Sequence, residues 1–65
     1  MGVEYFVERW NIAQDGEKQY THFTFDDEDD AINTYNVNVS LGGVIGCRVT
    51  NLETGLIIRN WGRKH

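Results

Sequence analysis

Cys47 is the one thiol of this chain, and His22 is its one imidazole apart from the terminal His65. Any nucleophilic or proton-transfer chemistry near neutral pH would have to be built on these two. A thiol nucleophile needs a base close by. His22 beside Glu8, across a hairpin, would make half of an acid–base pair. The strand registers that the sequence pattern favours put Cys47 and His22 on opposite faces of a sheet, so they do not meet. Cys47 then reads as an inert core residue and His22 as a cross-strand neighbour. No catalytic residue is assigned, and the chain is expected not to be an enzyme.

The acidic run Asp26-Asp27-Glu28-Asp29-Asp30 invites a calcium reading. A calcium loop of the EF-hand type needs alternating ligands, a central glycine and a closing glutamate. Consecutive acids supply none of that spacing and are read instead as the first turn of a helix. Cys47, His22 and His65 cannot complete a four-ligand soft-metal site, so no metal is expected. Gly42-Gly43 is followed by Val44-Ile45-Gly46, not by a lysine and a hydroxyl residue, so there is no phosphate loop and no cofactor is expected. The segment Arg59-Asn60-Trp61-Gly62-Arg63-Lys64-His65 is basic with one aromatic residue. That composition can serve nucleic acid, although a basic tail is more often a solubility feature.

At 65 residues the chain fits one domain, spanning 1–65. A domain this small buries only about 60% of its unfolded surface and usually needs a staple. With a single cysteine there is no internal disulfide, which leaves self-association. The net charge of −4 opposes long-range attraction to phosphates. Hydrophobic residues at 40% and charged residues at 25% are the proportions of an ordinary folded domain. The absence of proline and of low-complexity runs gives no sign of disorder. Met1-Gly2-Val3-Glu4 lacks the pattern of a signal peptide, no apolar run reaches the length of a membrane span, and the lone cysteine suits a reducing, cytoplasmic compartment.

The elements that must position these residues follow from pattern. Val3 to Ile12 is rich in aromatic and β-branched residues and reads as a strand. Ala13-Gln14-Asp15-Gly16 is a turn, and Lys18 to Phe25 is the returning strand. A three-residue loop, Gln14-Asp15-Gly16, sets Ala13 opposite Glu17. Tyr5 then meets Phe25 and Val7 meets Phe23 on one face. Phe6 meets Thr24, Glu8 meets His22 and Trp10 meets Tyr20 on the other. A two-residue loop would mix the apolar set between faces and is rejected. Ala31, Ile32, Tyr35 and Val39 stand at helical spacing after the acids, which predicts a helix from about Asp27 to about Ser40, stopped by Gly42 and Gly43. A shorter helix followed by a brief strand at Asn36-Val37-Asn38-Val39 is the alternative. Val44 to Asn51 and Leu56 to Trp61 form a second hairpin around Leu52-Glu53-Thr54-Gly55. In it Val49 meets Ile58 and Asn51 meets Leu56. Thr50 meets Ile57, Arg48 meets Arg59 and Gly46 meets Trp61, whose ring would lie over the glycine.

The fold class is therefore α+β: a four-stranded antiparallel sheet with one helix on one face, in ββαββ order. Val3, Tyr5, Val7, Phe23, Phe25, Ile45, Cys47, Val49, Leu56 and Ile58 form the covered face, with Ile32, Tyr35 and Val39 packed on it. The opposite face, with Phe6, Trp10, Ile12, Tyr20, Ile57 and Trp61 among Glu4, Glu8, His22, Arg48 and Arg59, has nothing left in the chain to cover it. Aromatic residues with arginine are the usual centre of an interface. The expected function is a non-enzymatic protein-interaction module, a homodimer or a binder of a protein partner, acting through Phe6, Trp10, Tyr20, Ile57, Arg48, Arg59 and Trp61. The alternative is a single-stranded nucleic-acid binder that stacks bases on the same aromatics, with Arg48 and Arg59 on phosphates.

Overall fold

The structure is a computed structural model describing residues 4–62. Val3, assigned to the core face, and the tail residues Arg63, Lys64 and His65 lie outside the described residues. The elements are β1 (Tyr5–Ile12), β2 (Lys18–Phe25), α1 (Glu28–Val39), β3 (Val44–Asn51) and β4 (Leu56–Gly62). All strand pairs are antiparallel, and the order across the sheet is β2-β1-β3-β4. The chain is thus an α+β domain in ββαββ order, as its pattern predicts. Among the described residues no helix is long and apolar enough to cross a membrane.

Turn chemistry sets the hairpins. Gly16 and Gly55 both take positive φ, 87° and 76°, a conformation glycine adopts without a Cβ clash. The Ala13 N–H donates to the Glu17 carbonyl at 2.9 Å, closing the three-residue loop. Every β1–β2 pair argued from the sequence is present, from Tyr5 with Phe25 to Trp10 with Tyr20. Asp27 caps α1, its Oδ1 accepting the Asp29 N–H at 2.9 Å. Glu28, Asp29 and Asp30 occupy the first turn, where the helix dipole favours negative charge. The helix runs unbroken to Val39, so the alternative strand at residues 36–39 does not form. Its stop differs from the glycine stop expected. Ser40 ends it in ordinary right-handed geometry, its Oγ donating to the Val37 carbonyl at 2.7 Å.

The core lies between α1 and the two central strands. Val7, Ala31, Cys47 and Val49 are fully buried, with Tyr5, Phe23, Phe25, Tyr35, Val39, Ile58 and Trp61 packed around them. Three sequence assignments change. Ala31, not Ile32, is the helix residue pressed into the core, since Ile32 is only half-buried. Val44 is buried where Ile45 was expected, because β3 has a bulge opposite Trp10 and Asn11 that shifts its alternation. Leu56, the first residue of the last strand, is not packed in the core and is 65% exposed.

The largest correction concerns β4. Asn51 pairs with Leu56 and Thr50 with Ile57, as expected, but a bulge follows and Val49 pairs with Arg59. One extra residue reverses the face of everything beyond it. Arg48 meets Asn60 instead of Arg59, and Cys47, not Gly46, meets Trp61. Trp61 therefore packs against the core on the helix side. Trp10 takes the place over Gly46 that Trp61 was given, its Cε3 about one van der Waals contact (3.4 Å) from where a Cβ would sit.

Candidate functional site

On the face away from α1, β1 presents Phe6, Glu8 and Trp10, β2 presents Tyr20 and His22, β3 presents Arg48 and Thr50, and β4 presents Ile57. The alternation of strand side chains puts these residues together. The registers align them: Glu8 lies between His22 and Arg48, Trp10 between Tyr20 and Gly46, and Phe6 between Thr24 and Thr50. Thr50 in turn pairs with Ile57.

Glu8 is the polar centre of this face. Its Oε1 accepts from Arg48 Nε at 2.9 Å and Nη2 at 2.6 Å, and its Oε2 accepts from the Tyr20 hydroxyl at 2.8 Å. The Arg48 guanidinium also lies over the Trp10 ring, 5.3 Å from its centroid. That is a cation–π arrangement. The rings continue outward: Trp10 to Tyr20 at 5.5 Å, Tyr20 to His22 at 5.8 Å, and His22 to Phe6 at 5.1 Å. The Tyr20 phenol is pushed above its ordinary value. Desolvation leads, and Glu8 adds to it by accepting the hydrogen bond and repelling the phenolate, while Arg48 acts the other way. Tyr20 and Ile57 are 48% and 52% exposed, and no element of the described chain covers them.

Of the residues assigned to a partner surface, Phe6, Trp10, Tyr20, Ile57 and Arg48 come together here. Trp61 does not, because the bulge carries it to the helix side. Arg59 does not join Arg48; it pairs in register with Val49, and its Nη1 donates to the Ile58 carbonyl at 2.7 Å. His22 and Glu8 share a register pair as expected, but the carboxylate is engaged by Arg48 and Tyr20. Cys47 is buried on the other face, and burial pushes its thiol up, away from the reactive thiolate.

Arg9 is a residue the sequence reading passed over. It sits at an odd position of β1, so it points beneath the helix with Tyr5 and Val7. Its Nη1 donates to Asn38 Oδ1 at 2.9 Å, and its guanidinium lies 5.6 Å from the Phe23 ring centroid. Asn38 is 5% exposed and returns its Nδ2 to the Thr34 carbonyl at 2.7 Å. With no basic residue in the last turn of α1, Arg9 supplies the positive charge that a helix C-terminus favours. Period-two alternation alone would have placed it there.

Compared with family models, curated proteins and solved structures, the chain matches none of them.

Proposed function

We propose that this chain is a non-enzymatic protein-interaction module that buries its open aromatic face against another polypeptide, a second copy of the chain being the partner we favour. The observation that carries this reading is the Glu8–Arg48 pair set among Trp10, Tyr20, His22 and Phe6. The central cation is already neutralised, and its guanidinium is held over an aromatic ring. A surface of rings around a self-satisfied ion pair can be desolvated by a protein without stranding a charge. Each 100 Å² of apolar surface so covered would contribute about 2.5 kcal/mol gross.

Binding of single-stranded nucleic acid would use the same rings but needs free cations for phosphates. Arg48 is engaged by Glu8, and Arg59 stands out of line with it. The test is molecular mass in solution. The parent chain is expected to exceed its monomer mass of 7.5 kDa, and Trp10→Asp is expected to lower the assembly state. An unchanged mass in Trp10→Asp would contradict the reading.

A further inference from the structure

We propose that His22 makes the open face acid-sensitive: the face is buried against its partner while the imidazole is neutral, and protonation of the ring releases it. The inference rests on the self-association reading and deepens it, by naming what regulates that face.

His22 is exposed in the middle of β2. Its ring lies between Phe6 at 5.1 Å and Tyr20 at 5.8 Å. Among the described residues these are its contacts; it makes no hydrogen bond and no ion pair there. Imidazole is the side chain whose ordinary titration crosses the physiological range, and His22 is the imidazole that the described face carries.

The charges that face it are already matched. β1 sets Glu8 opposite His22, and β3 sets Arg48 beyond Glu8. Arg48 donates twice to Glu8 Oε1, and the Tyr20 hydroxyl donates to Oε2. Tyr20, two positions along β2, has its phenol pushed up and stays neutral through the acid range. No strand of the described residues lies beyond β2, and α1 packs on the other face. Lys18 lies four positions along β2, about 13 Å away at the rise of a strand. Glu4 and Asp26 lie past the ends of β1 and β2. Exposed charges so spaced are screened by salt.

An imidazolium therefore adds a net positive charge among the rings. In the free chain that charge stays in water, because His22 is exposed. Under a partner it loses that water, and the carboxylate nearest in register is committed to Arg48. Burying an unmatched charge costs far more than burying a neutral ring. A second copy repeats the cost, since a two-fold interface brings two copies of His22. Each copy released takes up a proton, so the association equilibrium must follow pH.

Sedimentation equilibrium of the full chain at about pH 7.5 and about pH 5.5, either side of the range in which imidazoles titrate, tests this. Circular dichroism checks the fold at both. The parent's association constant is expected to fall roughly tenfold or more on acidification. His22→Gln, uncharged at either pH, is expected to associate equally at both. His22→Arg is expected to associate weakly at both; where it fails to fold, His22→Gln decides. A parent that associates equally, or more tightly, at the lower pH overturns the switch and leaves the open-face reading standing. A His22→Gln chain that weakens in parallel with the parent also overturns it, since another group then carries the response. A parent monomeric at both pH values and at high concentration overturns the open-face reading, and the switch with it.

Discussion

Arg48 and Glu8 face each other across the two central strands, and the guanidinium donates both Nε and Nη2 to one carboxylate oxygen, at 2.9 and 2.6 Å. The pair orders the open face, because the same arginine lies over Trp10 and the same carboxylate holds Tyr20. Glu8→Gln is expected to lower stability by about 1 kcal/mol, since Arg48 is partly solvated. It should also bring the Tyr20 phenol down toward its ordinary range, read from the ultraviolet titration of tyrosinate. A Tyr20 titration indifferent to this substitution would mean that the hydrogen bond does not hold in solution.

Alkaline pH should lower the stability of the fold in a defined sense. Tyr5, Tyr20 and Cys47 are all raised in the folded state, desolvation being the leading cause in each. Each group prefers its neutral form when folded. The stability this supplies is fully present below the unfolded value and is lost as pH rises through the higher folded one. The melting temperature should therefore fall as pH climbs through the thiol and phenol ranges, from about 9 to beyond 10. Tyr20→Phe should make that fall shallower. A flat melting profile across this range would contradict the shifts.

The two tryptophans should separate by role. Trp61 packs against the core and Trp10 lies on the open face over Gly46. Trp61→Ala should destabilise the monomer by up to about 3 kcal/mol, the low end for a tryptophan because the residue is only partly buried. Trp10→Asp should instead alter association. If calorimetry and mass measurements give the two substitutions the same effects, the bulge in β4 is misplaced.

The core makes a plainer demand. Val7 and Val49 pair with each other across β1 and β3, and both are fully buried. Val49→Ala should cost roughly 2 kcal/mol or more, a large share of the stability a domain of this length possesses. Asp27→Ala at the helix cap should cost about 1 kcal/mol, with no melting response to calcium in either form. Thermal melts of both variants check these values, and a calcium-dependent rise in the parent would overturn the capping account of the acidic run.

The first hairpin was legible because two local constraints agree. A three-residue loop ending in a positive-φ glycine and the alternation of Tyr5, Val7, Phe23 and Phe25 demand the same register. In the second hairpin the turn was equally plain, and the first two pairs follow from it. The bulge after them was not legible: Ile57-Ile58-Arg59 carries no glycine or asparagine to announce an extra residue. One uncounted residue then moved Trp61 across the sheet and parted Arg59 from Arg48. Asn38 was missed for a different reason. A polar residue late in a helix reads as solvent-facing unless its partner is known, and that partner, Arg9, lies 29 positions away.

The central claim is that the open face meets protein and not phosphate. Its most direct test is the mass of the parent chain in solution across a salt series, with and without a single-stranded oligonucleotide. Burial of Phe6, Trp10 and Tyr20 predicts self-association that persists as salt rises, with no uptake of the oligonucleotide. A strictly monomeric chain at high micromolar concentration that binds the oligonucleotide at low salt, and releases it steeply as counterions compete, would contradict the account.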